Sequence, residues 1–379
     1  MKTNELAHAI AQETIDYRRD IHRHPEPSME EFRTTDRICE ELDKLGVSYK
    51  RMKPTGVIAE IKGTKGESDK IVMIRGDIDA LSIREKTDLP FKSVNEGFMH
   101  ACGHDGHMAM LLCLAQWISG HLDQLARNVL LVFQPAEETT GGAQSICQTG
   151  IFRQLNVRHI FGIHLWPDLP AGTVSTRSGP MMARSSEMTV EINGKSAHIA
   201  RWREGADALA AGVEFVRRSY SMADSELPPD QFRVFKFGHM QSGTVRNAVS
   251  AYTVLEGTLR TFQDEVFDHI TRRAAEIGQD VQKETGCQIS VRFSQGYPPV
   301  YNDPALYEQA AALLAPNRLV PLKEPALIAE DFSFYQQELP GLFFFLGTGS
   351  DQPLHSDRFC FDESVLEQGV ALYQTLLQL

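Results

Sequence analysis

Three short apolar segments, each followed by polar residues, constrain the fold of this chain most strongly. They are VLLVF (129–133), IFGIHLW (160–166) and LFFFLG (342–347). A bilayer-spanning helix needs about 20 apolar residues, so none of them can cross a membrane. Continuous apolar runs of this length are typical of strands that are buried on both faces. Helix patterns such as 31–46, which ends at a glycine, alternate with them. This alternation predicts an α/β domain with a largely parallel sheet.

The segment between about 181 and 294 has a different pattern. Its predicted elements follow in the order β-α-β-β-α-β, which is the order of a ferredoxin-like α+β module; they are 188–195, 207–222, 233–240, 248–262, 263–286 and 288–294. Helix and strand patterns return after a proline-containing stretch at 297–304. A chain of 379 residues is long enough for two domains. We predict a discontinuous α/β domain at 1–180 and 295–379, with the ferredoxin-like domain inserted at 181–294.

Charge and cysteine content exclude several kinds of partner. The net charge of −12 argues against a nucleic-acid surface and against binding to anionic membranes. Residues 1–20 are polar and lack the apolar core of a signal peptide. The six cysteines are scattered, without a C-x-x-C motif, which fits reduced thiols rather than a disulfide framework. We therefore expect a cytoplasmic protein without nucleic-acid or membrane partners.

Residue types that bind transition metals follow several of the predicted strands. The stretch MHACGHDGHMAM (99–110) is predicted to be a loop followed by a helix that begins at Met108. The candidate metal-site residues of the whole chain are Cys102, His104, Glu137, Glu138, His164 and His355. Imidazole, thiolate and carboxylate together suit zinc, manganese or similar ions. If one of the two glutamates is set aside, five candidate ligands remain, which is more than one tetrahedral ion with an open position requires. Two ions that share a ligand and a water would use all five. If the chain is extended at the adjacent glutamates, one binds metal and the other acts as a base.

Each of these residues also has a simpler interpretation. Adjacent glutamates after a strand are usually solvated, His355 fits a surface loop, and His164 fits a hydrogen-bonded core. Cys102 fits a small buried side chain, the usual fate of a free cysteine. A purely structural zinc site is disfavoured, because such sites are closed and lack a carboxylate pair. His107 cannot be separated from its neighbours by sequence. The coincidence of candidates at four predicted strand ends favours a joint site.

Longer motifs around these residues resemble one known family. They are MHACGHDGHMAMLL, FQPAEETTGGA, GIHLWPDLPAGTV, SGTVRNAV, AEDFSFY and LHSDRFCFDE, and RRDIHRHPEPSMEEFRTT and IRGDIDALSIREKTDLPF near the N-terminus match as well. The sequence resembles the metal-dependent aminoacylase and carboxypeptidase family, in its amidohydrolase branch. That branch includes hippurate hydrolases, auxin-conjugate hydrolases and bacterial N-acetyl-amino-acid deacetylases. The resemblance covers nearly the whole chain and implies a zinc-peptidase-like catalytic domain with an inserted lid and dimerisation domain.

The resemblance also implies a role for each candidate. Cys102 takes the place of the ligand that bridges two divalent ions (zinc, manganese, nickel or cobalt), a position that aspartate holds in other branches; the remaining ligands are His104, Glu138, His164 and His355. Glu137 matches the general base, and Asp79 matches a carboxylate that orients the site. A turn residue is the alternative for Asp79.

Three further residues lie in the inserted domain. By resemblance, His198 polarises the scissile carbonyl, while Asn247 and Arg260 contact the substrate. A guanidinium suits the carboxylate of an N-acyl amino acid, although an ordinary strand-face salt bridge is an equal alternative for Arg260. The sequence departs from the family pattern at HIARWREGAD after the lid histidine, at Ala329 before EDF, and at Asp357, where proline is common.

The implied function is hydrolysis of the amide bond of N-acyl, and preferentially N-acetyl, L-amino acids to a free amino acid and a carboxylate. Candidate substrates include N-acetylcysteine and N-acetyl-diaminopimelate, and the implied assembly is a homodimer through the inserted domain. Hydrolysis of aromatic acyl conjugates or dipeptides is one alternative. Another is a catalytically silent metal-containing binding protein, which would have lost Glu137 or a ligand, and none is lost here.

Overall fold

The computed structural model describes residues 2–64, 71–139, 141–314 and 318–379, with side chains from residue 12 onward. It separates into two compact units: Met1–Gly179 with Tyr301–Glu324 and Asp331–Leu379, and Pro180–Val300 with Pro325–Glu330. The second unit thus takes in Pro180, 295–300 and 325–330, which the sequence placed in the α/β domain. Residues 325–330 join it because Ala326 exchanges backbone hydrogen bonds with Met181 and Ala183. Pairing of distant backbone segments of this kind leaves no pattern in a single sequence.

Helices and strands alternate along much of the chain. The helices are α1 (Lys2–Arg23), α2 (Phe32–Lys44), α3 (His104–Ser119), α4 (Gly142–Gln148), α5 (Ile151–Gln154), α6 (Ala208–Ser225), α7 (Asp264–Thr285), α8 (Pro304–Leu313), α9 (Ser333–Gln336) and α10 (Val365–Leu376), with 3₁₀ turns at Leu122–Gln124 and Ile199–Glu204. The strands are β1 (Ser48–Arg51), β2 (Val57–Ile61), β3 (Ile71–Asp77), β4 (Asn128–Gln134), β5 (Val157–Trp166), β6 (Val174–Thr176), β7 (Gly179–Met182), β8 (Arg184–Asn193), β9 (Arg233–Ser242), β10 (Tyr252–Thr261), β11 (Gln288–Phe293), β12 (Val300–Asn302), β13 (Leu319–Pro321) and β14 (Gly341–Gly347). No helix in the described ranges is long and apolar enough to cross a membrane.

The first unit is built on one sheet with the strand order β1-β2-β4-β3-β5-β14-β6-β13. Its centre is parallel, since β3 pairs in parallel with β4 and β5, and β14 with β5. The three apolar segments are indeed strands in this sheet, and every residue of β3 and β14 is buried. Parallel strands direct their carboxyl ends to one edge, so the residues that follow β3, β4 and β5 lie together. The sheet therefore brings distant parts of the sequence to one place.

Helix α3 begins earlier than the sequence predicted. It starts at His104 rather than Met108, because Gly103 adopts φ 86° and its carbonyl accepts the N–H groups of Gly106 and His107. Glycine adopts this left-handed conformation without the steric cost that a side chain brings. His104 and His107 are therefore on the first turn of a buried helix and not in a loop.

The second unit has the β-α-β-β-α-β order that the sequence predicted. Its sheet is antiparallel with the order β11-β8-β10-β9, and α6 and α7 contribute to the core beside it. Asp207 caps α6 by accepting hydrogen bonds from the N–H groups of Leu209 and Ala210. Helix α7 ends at Gly286, which has φ 72°.

Candidate metal centre

The start of α3 places Cys102 and His104 at the carboxyl end of the sheet, and both are buried. His104 Nδ1 lies 2.9 Å from the backbone oxygen of Asp79. Because a carbonyl can only accept, Nδ1 carries a proton, and Nε2 is the ring atom that remains for a metal ion. Nε2 is buried and has no hydrogen-bond partner among the described residues. A backbone carbonyl on one ring nitrogen is the usual support for a histidine that binds metal through the other.

Glu137 and Glu138 lie in a turn after β4 rather than in an extended segment. Ala136 precedes them with φ 55°, a conformation that is rare for residues with a side chain. Two acidic side chains fix the turn: Glu31 Oε1 accepts the Ala136 N–H at 3.0 Å, and the two oxygens of Asp79 each accept an N–H, from Glu137 and Glu138, at 3.1 Å. Three consecutive backbone amides are thus held by two buried carboxylates, so both glutamate side chains emerge in a defined direction.

His164 lies near the end of β5 and is buried. Its Nδ1 is 2.7 Å from the backbone oxygen of Leu165, and its Nε2 is 3.4 Å from Cys102 Sγ. Burial, together with the neighbouring His107, lowers the pKa of His164 well below its usual value. His164 is therefore a neutral imidazole that points Nε2 toward a thiol, which the interpretation as an ordinary core histidine does not explain.

His355 differs from the other candidates because its side chain is 51% exposed. Its φ is 64°, and its N–H donates to the backbone oxygen of Ala101 at 2.9 Å. That hydrogen bond places it beside Cys102. His355 Nε2 lies 3.3 Å from Glu138 Oε1.

These residues form two groups that share Cys102. One consists of Cys102, His104 and His164, and the other of Cys102, Glu138 and His355; in each, the potential ligand atoms lie within 4.8 Å of one another. Glu137 lies beside both, since its carboxylate falls within the same distance of His104 and Glu138. This arrangement suits two ions that share a thiolate.

The electrostatics of the site also fit divalent cations. Burial and the carboxylates of Glu138 and Glu137 raise the pKa of the Cys102 thiol well above its usual value. Burial lowers the pKa of His104, but the carboxylates of Asp77 and Asp79 outweigh burial and raise this pKa to about 10. Glu138 Oε1, like His104 Nε2, is buried without a hydrogen-bond partner in the described parts of the chain. Buried ligand atoms that lack hydrogen bonds in a strongly negative site are what cations would compensate.

Comparison with known proteins agrees with this geometry. Residues 73–379 match the family model of peptidase family M20/M25/M40. The chain belongs to this family. Membership makes it a metal-dependent amidohydrolase, as the sequence predicted.

Two curated relatives and one solved structure illustrate the range of this M20 family. The chain is 35% identical over 373 residues to thermostable carboxypeptidase 1 of Saccharolobus solfataricus, covering 96% of this chain and 94% of the relative. It is 35% identical over 360 residues to N-acetylcysteine deacetylase of Bacillus subtilis, covering 93% and 92%. A crystal structure of a dinuclear metal-binding peptidase of the M20 family from B. subtilis superposes with a TM-score of 0.83 at 32% identity and covers 97% of both chains. The mixed α/β fold is thus that of M20 peptidases.

His107 and Asp77 lie beside the centre of this M20 protein but have other partners. His107 Nδ1 is 2.5 Å from Asp77 Oδ1, and His107 Nε2 accepts the Leu165 N–H at 3.0 Å. Arg75 donates to Asp77 Oδ2 at 2.8 Å. Both ring nitrogens of His107 have hydrogen-bond partners, so it supports the end of β5 next to His164.

Three supporting residues, Asp77, Glu31 and Ser28, were not predicted from the sequence. Of these, Ser28 donates its hydroxyl hydrogen to Asp79 Oδ2 at 2.6 Å. The only pattern that pointed to Asp77 was a pair of aspartates separated by one residue, Asp77 at the end of β3 and Asp79 just after it. Nothing in the local sequence pointed to Glu31, since its partner Ala136 lies 105 residues away.

The remaining candidates, His198, Asn247 and Arg260, all lie in the second unit. His198 is exposed, and its Nδ1 accepts the Ala200 N–H at 3.2 Å, which assigns the proton of a neutral ring to Nε2. The backbone oxygen of Asn247 accepts the N–H of Ile199, next to His198. Arg260, on β10, donates to the backbone oxygen of Leu327 rather than to a carboxylate.

Proposed function

We propose that this M20 hydrolase removes an acyl group, preferentially acetyl, from the amino group of an L-amino acid. The observation that carries the proposal is the pair of ligand groups that share Cys102, with Glu137 beside them. The similarity to an N-acetylcysteine deacetylase supports the choice of substrate class. When bound, two divalent ions (zinc, manganese, nickel or cobalt) on Cys102, His104, Glu138, His164 and His355 polarise the scissile carbonyl and lower the pKa of water.

Glu137 is the proposed general base. Its carboxylate accepts a proton from the attacking water, whose oxygen bonds to the acyl carbon. As the carbon–nitrogen bond breaks, Glu137 returns the proton to the leaving amine, which departs as a free amino acid. Asp79 serves this step by fixing the backbone of Glu137.

His198, Asn247 and Arg260 are proposed to recognise the substrate. The hydrogen bond from Ala200 to His198 Nδ1 keeps the Nε2–H as a donor. A donor of this kind stabilises negative charge that develops on a carbonyl oxygen. Arg260 has guanidinium donors in addition to the one bound to Leu327, and these suit the substrate carboxylate.

The inserted domain is proposed to form a homodimer and to act as a lid. In its own structure, Leu209 and Val213 are exposed one turn apart on α6, and Met240 is exposed on the edge strand β9. Exposed apolar side chains beside an unpaired strand edge favour association. Light scattering on the purified protein tests this, and a monomer at micromolar concentration refutes it.

A cytoplasmic location also stays a prediction.

A second candidate function is peptide hydrolysis. The similarity to thermostable carboxypeptidase 1 favours it, because that relative matches over almost the same length as the deacetylase. A peptide substrate would use the same base and ligands, so only the acyl group distinguishes the two functions.

The deciding experiment measures amine release from a panel of N-acetyl, N-benzoyl and dipeptide substrates of L-amino acids. The protein is loaded with Mn²⁺ or Zn²⁺, and chelator-treated protein and D-enantiomers serve as controls. We expect metal-dependent release that is fastest from N-acetyl L-amino acids. Faster release from dipeptides selects the second candidate. No release from any substrate by protein that carries two ions supports a silent binding protein.

A further inference from the structure

His355 is the least protected of the candidate ligands. Cys102, His104 and His164 are each less than 10% exposed, whereas the His355 side chain is 51% exposed. His355 also has a positive φ and lies outside any helix or strand. A ligand on an exposed loop must be kept in place by contacts elsewhere on that loop, because its own side chain is not packed.

The loop is anchored before and after His355. Before it, Leu354 packs against the small cluster of Met99, Ala101 and Phe359, and the His355 N–H donates to the Ala101 oxygen. After it, Asp357 makes two contacts with Lys86: the Lys86 N–H donates to the Asp357 backbone oxygen at 2.7 Å, and Lys86 Nζ lies 2.6 Å from Asp357 Oδ2. Lys86 and Asp357 are thus joined by a backbone hydrogen bond and by an ion pair between their side chains.

Lys86 is itself on a well-supported segment. The neighbouring Glu85 accepts the Ser93 N–H at 2.6 Å and lies 3.3 Å from His22 Nε2. His22 in turn contacts Asp105, the residue after His104. Lys86 therefore gives the His355 loop a fixed point of attachment. Its ion pair with Asp357 restrains the part of the loop whose side chains are solvated.

We propose that Lys86 and Asp357 are positioning residues for His355. The ion position formed by Cys102, Glu138 and His355 then depends on a partly exposed ion pair, and the position formed by Cys102, His104 and His164 does not. This inference rests on the proposed two-ion centre. Salt screens partly exposed ion pairs far more than buried contacts. Metal binding at the position that contains His355 is therefore sensitive to salt through the Lys86–Asp357 pair. Binding at the position that contains His104 and His164 does not depend on this pair.

The test measures the binding of two equivalents of Mn²⁺ or Zn²⁺ to chelator-stripped protein by competition with a chromophoric chelator. The variants are Lys86→Met, Asp357→Asn and the reversed pair Lys86→Asp with Asp357→Lys. His355→Ala shows which of the two binding constants belongs to the His355 position. Arg84→Met is the matched control, because it removes a neighbouring surface pair, Arg84–Glu96 at 3.1 Å, that does not involve the His355 loop.

We expect each single variant to weaken only the His355 constant, by roughly twofold to fivefold, as is typical of an exposed ion pair. The reversed pair should restore it, and Arg84→Met should leave both constants unchanged. Raising NaCl from about 0.05 M to about 0.5 M should weaken the same constant more in the wild type than in Asp357→Asn.

Unchanged constants in both single variants, or an equal loss at both positions, overturn the inference. Melting temperatures of the stripped proteins should match that of the wild type, which separates positioning from a folding defect. If the wild type binds fewer than two ions, the proposed centre fails and this inference fails with it. If the wild type binds two ions and the variants behave like Arg84→Met, only the inference fails.

Discussion

The carboxylate of Asp79 holds the backbone of Glu137, since Asp79 Oδ1 accepts the Glu137 N–H at 3.1 Å. The other oxygen, Oδ2, accepts the N–H of Glu138 and the hydroxyl of Ser28. One buried side chain therefore sets the direction of the proposed base and of the adjacent ligand together. The backbone oxygen of the same residue faces His104 Nδ1. Asp79 is thus the point at which the base and two of the candidate ligands are aligned.

Replacing Asp79 with asparagine should lower kcat/KM by about 10- to 100-fold, the usual effect of removing a residue that supports metal ligands. The amide nitrogen would face a backbone N–H where an oxygen now accepts one. Steady-state kinetics with an N-acetyl amino acid measure the effect. The exposed Asp88→Asn serves as the matched control and should behave like the wild type. Wild-type activity in Asp79→Asn would show that the turn is held without it.

Replacing Glu137 with glutamine should reduce turnover by about 10²- to 10⁴-fold, because an amide cannot accept the proton of the attacking water. Metal content, measured by atomic emission, should stay near two ions per chain. Glu138→Gln is the comparison and should lose metal as well as activity. Substantial turnover in Glu137→Gln would assign the base to another residue.

Replacing Cys102 with alanine should lower occupancy at both ion positions, since its thiol belongs to both ligand groups. Cys102→Asp supplies an anionic ligand at the same place and should recover much of the occupancy. Metal stoichiometry after gel filtration distinguishes the variants. Two full equivalents in Cys102→Ala would contradict a shared ligand.

The His22 ion pair should make stability depend on pH. Burial lowers the pKa of His22, but Asp105 and Glu85 outweigh burial, so the net pKa is raised above its usual value; Arg18 and the nearby His100 are the other basic groups of the cluster. A raised pKa in the folded state means that the charged form stabilises the fold. This contribution is complete below the unfolded pKa of about 6.5 and is lost as the pH rises through the folded value.

His22→Gln should therefore destabilise the protein by about 2 kcal/mol near pH 6, in the range of a hydrogen bond to a charged group. The cost should be smaller near pH 9. Urea melts of variant and wild type with a chelator present give the difference at each pH without a contribution from metal binding. A cost that is the same at both pH values would show that the charge on His22 does not matter.

The sequence by itself determined the framework of this protein. Continuous apolar runs such as LFFFLG are typical of central strands, because a strand buried on both faces accommodates apolar side chains on each face. The order of elements in the inserted segment and the family also followed from local patterns and motifs. Cys102, His104 and His164 could be grouped in advance, because parallel strands bring their carboxyl ends to one edge.

Only the tertiary structure decided which hydrogen-bond partners these residues have. His104 and His107 look alike in HDGH, and their roles separate only through hydrogen bonds to Asp79, Asp77 and Leu165. The turn at Glu137 depends in the same way on Glu31, which is remote in the chain. Local patterns report burial and backbone preference, which act over a few residues. The partners that fix a ring nitrogen or a strained turn come from distant segments, and only the packed sheet brings them within reach.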